Sequence, residues 1–126
     1  MTALGISLWL FAGVVAAGAA LGARMLIDEH WPAWAKRLGI AHGLCAAVAT
    51  TLACLSLRGP ARGVHEGAAS FGAIAAALLL TALAIGTTIY VIHRRRGASP
   101  VLVAIHASIG VAGAVILAAW WSMPPA

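Results

Sequence analysis

The chain has 126 residues, of which 63% are hydrophobic and only 9% charged, with a formal net charge of +5. A soluble domain carries about 25% charged residues, so this composition excludes an ordinary water-soluble protein and points to the lipid bilayer. A net positive charge built from eight Lys and Arg is too small and too scattered for nucleic acid, and no nucleic-acid partner is expected.

At roughly 20 apolar residues per span, the length accommodates four helices joined by short loops. The first span is expected over about residues 3–27. Ala19 to Ala23 looks like a small-residue cleavage site, but no basic residue precedes Arg24. The positive n-region of a signal peptide is therefore missing, and the segment reads as a retained span. Gly18 and Gly22 form a small-xxx-small pair suited to close helix approach. Trp9 stands near one interface, and Arg24 near the other end, within reach of headgroups or a buried anion.

The first loop, Asp28 to Arg37, carries Trp31 and Trp34 as interfacial belt residues. Pro32 suits the first turn of the next helix. That second span is expected over residues 33–57. His42 lies early in its apolar part, and Ala46, Ala49 and Ala53 follow on the same face within about 40°. Cys45 and Cys54 lie on opposite faces, too far apart to bridge.

Arg58 to Gly67 is a turn-rich linker, with His65 solvated. A third span is expected over residues 69–93, with Ser70, Ala73, Ala77, Thr81, Ala84 and Thr88 along one small or hydroxyl stripe. Tyr90 and His93 lie near its end. Ser99 is a good N-cap and Pro100 a good first helical residue for a fourth span over residues 100–121. His106 sits about two turns into it. Gly110 and Gly113 fall within about 40° of its face. Trp120 and Trp121 mark the opposite interface. The fold class that follows is all-α: an integral membrane four-helix bundle, up-down-up-down, forming a single membrane domain.

Basic residues orient the bundle. Arg24, Lys36, Arg37, Arg94, Arg95 and Arg96 fall on one side, and Arg58 and Arg62 on the other. The richer side is expected to be cytoplasmic. In a bacterial inner membrane, loops 1 and 3 would then face the cytoplasm, with both termini periplasmic. The chain also contains a weak internal repeat. His30 precedes His42 by twelve residues and His93 precedes His106 by thirteen, so it reads as two helical hairpins of similar design.

Ionisable groups within a membrane span are functional candidates by default. His42 and His106 each lie roughly 6–9 Å inside the start of an apolar run, on helices running in the same direction. Facing helices of a bundle core commonly hold a cofactor between them. Two imidazoles with small residues beneath them suit the axial ligation of haem iron. Ala46, Gly110 and Gly113 would clear the macrocycle, and Arg24 and Arg94 would meet the propionates. His30 and His93 form a second candidate pair at the cytoplasmic edge, or ordinary interfacial residues. With both axial positions filled by nitrogen, the chemistry would be electron transfer and not oxygen binding.

The motifs His42-Gly43 and His106 with Gly110 and Gly113, in a four-span frame, resemble those of small bacterial membrane b-type cytochromes, loosely the cytochrome b561-like bundles. That resemblance implies haem b and electron exchange with a quinone or a redox protein. Those families often hold two haems, whereas here the outer half of every span lacks histidine. A different class of reading is a cofactor-free accessory subunit of a larger membrane complex or a homo-oligomer, with both imidazoles bonded across helices. Metal-ion or proton transport is a third. No acidic residue lies inside a span to support it, since Asp28, Glu29 and Glu66 are all in loops. No nucleophile with its base, phosphate-binding loop or zinc-spaced cysteine pair points to a hydrolase.

Overall fold

A computed structural model describes residues 2–27, 32–96 and 99–126, with side chains described except at 26–27 and 93–96. It contains four long helices: α1 (Ala3–Ile27), α2 (Ala33–Ser56), α3 (Phe71–Arg96) and α4 (Pro100–Ser122). Each is long and apolar enough to cross a membrane, and the protein is a multi-pass four-helix bundle. Three expected boundaries hold within one residue. The third does not: α3 starts two residues later than expected and continues three further, because Ala68 to Ser70 complete the turn out of the linker. Pro32 is the N-cap of α2, just outside the first turn, and Pro100 opens α4 after Ser99 as the sequence predicts.

α1 packs chiefly on α2, and α3 on α4. The hairpins so formed join through α1 against α4 and α2 against α3. This cyclic arrangement leaves α2 and α4, the two histidine-bearing helices, on a diagonal. The bundle divides along its axis. Leu4, Phe11, Ala49, Ala53, Ala75, Leu79, Leu117 and Trp120 form a close core in the half towards loop 2. Among the described residues, the buried side chains of the histidine half are fewer: Leu21, Ala35 and Ala82.

Lipid is as apolar as a leucine core, so helix association here depends on packing and on polar ties. One tie is direct: the Ser7 hydroxyl donates to the Ala49 carbonyl at 2.9 Å, joining α1 to α2 inside the core. Glycine provides the packing. A Cβ on Gly113 would lie 2.9 Å from Leu79 Cγ and 3.2 Å from Leu78 Cβ, so its bare backbone lets α4 seat on α3.

Loop 2 and the C-terminal segment fasten that end. The Arg62 guanidinium donates to the carbonyls of Trp121 and Met123 at 3.1 and 2.8 Å. Backbone bonds from Gly63 to Pro124 and from Ala126 to Ala61 run alongside. Gly63 adopts φ +66 and leaves only 3.0 Å between an added Cβ and that of Ala68, so the turn requires glycine twice over.

One surface expectation changes. Trp121 is exposed at 46%, as a belt residue should be, but Trp120 is 4% exposed and belongs to the core. Gly72 makes room for its indole. The stripe from Ser70 to Thr88 on α3 faces outward along its whole length. There Thr81 and Thr88 donate to the carbonyls of Ala77 and Ala84, one turn back, which satisfies the hydroxyls without water.

Candidate functional site

His42 and His106 meet. Their ring centroids are 6.2 Å apart with the ring planes at 73°, across the diagonal of the bundle. Both side chains are half-buried. Neither helix positions its imidazole alone. His42 packs on α1, where a Cβ on Gly18 would lie 2.9 Å from its Cε1. His106 packs on α3, where a Cβ on Gly86 would lie 2.8 Å from its Cε1. Real side chains do not tolerate such approaches, so glycine at both positions is what admits the rings.

Hydrogen bonding fixes the chemistry of one ring. His106 Nδ1 lies 2.9 Å from the Ala82 carbonyl. A carbonyl only accepts, so Nδ1 carries the proton and donates. In the neutral imidazole Nε2 is then the nitrogen with the free lone pair, the state a metal ligand requires. His42 Nδ1 is buried without a hydrogen-bond partner, and the Val14 backbone lies beside the ring.

Other expected site residues fall elsewhere. Gly113 makes room for Leu78 and Leu79, and an added Cβ on Gly110 would stand 3.7 Å from Ala82 Cβ. Both glycines therefore serve the α3–α4 contact. Gly18 and Gly86, on the preceding helices, clear the histidine rings themselves. Ala46 is half-buried on α2. Arg24 is half-buried near the end of α1, its guanidinium carbon 6.0 Å from the Trp34 ring centroid. His30 lies outside the described residues, as do the side chains of His93 and Arg94, so the second candidate pair and one propionate contact fall outside the described geometry. Among the described residues no cluster of three or more His, Cys, Asp or Glu gathers to hold a metal. The two cysteines are unpaired, Cys45 being exposed and Cys54 half-buried.

No family model, no curated relative and no solved structure matches this chain.

Proposed function

We propose that His42 and His106 are the axial ligands of one haem b, and that the chain is a membrane electron carrier of the b-type cytochrome kind. The observation that supports this most is the pairing of the two imidazoles at 6.2 Å. With a metal–nitrogen distance of about 2.0–2.1 Å, two imidazoles on opposite sides of one metal ion have centroids roughly 6 Å apart. The Nδ1 bond to Ala82 leaves His106 with its lone pair on Nε2, and this donor set suits a six-coordinate iron.

Bound haem would supply one-electron chemistry, its potential tuned by axial ligands, second-shell bonds and burial. The chain's own residues do the rest. Gly18 and Gly86 admit the rings, the Ala82 carbonyl orients His106, and the apolar helices keep water away. Arg24 and Arg94 are the candidate partners for propionates. The basic residues of loops 1 and 3 support an orientation with this end of the bundle at the cytoplasmic face of a bacterial inner membrane, where a quinone or a redox protein would exchange electrons with it.

Titrating haem into the detergent-purified chain tests the reading. One haem per chain, with a low-spin b-type visible spectrum, is expected. Failure to saturate, or an unchanged spectrum in the His42→Ala/His106→Ala double variant, would overturn it.

A further inference from the structure

The two hairpins correspond residue by residue. At one constant shift, Leu4, Ser7 and Phe11, buried in α1, stand where Gly72, Ala75 and Leu79 are buried in α3. The same shift carries Gly18 onto Gly86 and Val14 onto Ala82. A second constant shift places His42, Ala49 and Ala53 of α2 on His106, Gly113 and Leu117 of α4, with the last two of each set buried.

The contacts repeat as well. In each hairpin the imidazole of the second helix lies on a glycine of the first, with Cε1 2.9 or 2.8 Å from where a Cβ would be. One helical turn before that glycine stands a backbone carbonyl. That of Ala82 is bonded to His106 Nδ1 at 2.9 Å, and Val14 holds the equivalent position beside His42, whose buried Nδ1 has no hydrogen-bond partner. A chance packing of histidine on a neighbouring helix has no reason to recur with the same spacing and the same ring atom.

We infer that Val14 with Gly18, and Ala82 with Gly86, form a duplicated imidazole cradle. The glycine admits the ring. The carbonyl one turn earlier holds Nδ1 as the protonated nitrogen. Nε2 is thereby kept as the lone-pair donor in both halves of the protein. These are positioning residues, acting through His42 and His106. The inference rests on the haem reading only for what Nε2 binds; the cradle itself is a property of the chain.

The test therefore uses haem-free protein. Nitrogen-15 NMR of labelled histidine is recorded in detergent at about pH 8, above the ordinary histidine pKa. His42→Gln and His106→Gln variants assign the resonances. Both histidines are expected in the Nδ1–H tautomer. Gly18→Ala is expected to remove that tautomer from His42 and leave His106 unchanged, and Gly86→Ala to do the converse. Gly13→Ala, whose added Cβ meets nothing within 4 Å, should move neither resonance.

An Nε2–H tautomer at either histidine in the unaltered chain would overturn the cradle, and so would an alanine variant that leaves its own imidazole unmoved. If an alanine variant does not fold, the tautomers of the unaltered chain decide alone. Failure of the haem reading looks different: the unaltered chain would bind no haem while both tautomers stand as inferred.

Discussion

Replacing either His42 or His106 with alanine is expected to remove the low-spin haem spectrum and to weaken haem binding by more than about 100-fold, beyond the 10–100-fold typical of losing an outer-shell partner. Each variant deletes one of the two imidazoles that face each other at 6.2 Å. The iron would be left with a single protein ligand. His106→Ala also removes the bond between His106 Nδ1 and the Ala82 carbonyl, so it should disturb the contact of α3 with α4 more than His42→Ala does.

Free imidazole added to either variant should restore the low-spin spectrum, because the deleted side chain leaves a space of its own shape. If the histidines were only polar ties between helices, the outcome would differ. Each would then be worth about 0.6 kcal/mol, the average for such bonds in a membrane bundle, and no variant would change colour. Visible spectra and haem affinities of the two variants, with and without imidazole, separate these cases.

A second large effect is expected far from the histidines. Gly72→Ala would place a methyl group 2.8 Å from Leu57 Cδ2 and 2.8 Å from Trp120 Cε2, with Trp120 Cδ2 at 3.0 Å. Leu57 is partly exposed and can turn away. Trp120 is buried in the core with Leu4, Phe11 and Leu117 and has nowhere to go. Overpacking of this kind costs about 1–3 kcal/mol, which should appear as a clear drop in thermal midpoint in detergent. Gly43→Ala is the contrasting case, since its Cβ meets nothing within 4 Å. It should be neutral or slightly stabilising, because alanine is the better helix former by up to about 1 kcal/mol. Equal behaviour of the two variants would contradict the packing described for Trp120.

These two regions also show what could be read from the sequence. Spans are legible because hydropathy is a local property: twenty-odd apolar residues between polar loops define a helix wherever it packs. The pairing of His42 with His106 was legible for a related reason. Equal depth on helices of the same direction is a register argument and needs no knowledge of side-chain contacts. Which face of a helix turns inward is a different matter. In water, a polar face marks the outside, but in lipid both faces are apolar and small residues occur on each.

Consequently the stripe from Ser70 to Thr88 gave no hint that it faces outward. Trp120 and Trp121 looked alike as belt residues, although one is core and the other is not. The same ambiguity hid the glycines that admit the imidazoles. Gly110 and Gly113 share a face with His106 on α4, but that face meets α3. The space for each ring is made on the helix before it, at Gly18 and Gly86. The sequence does hold a sign of this: an alignment of α1 with α3 matches those two glycines. It becomes visible only once both histidines are seen to need one.

If His42 and His106 hold one haem iron, their ring planes, at 73° in the structure, would be close to perpendicular. Electron paramagnetic resonance of the ferric protein tests this most directly. Parallel imidazole planes split the two iron orbitals that lie between them, whereas nearly perpendicular planes leave those orbitals almost equal in energy and spread the low-spin spectrum to its widest anisotropy. A single, highly anisotropic low-spin signal is expected. A high-spin signal, or haem-saturated preparations in which no iron signal follows the protein, would contradict it.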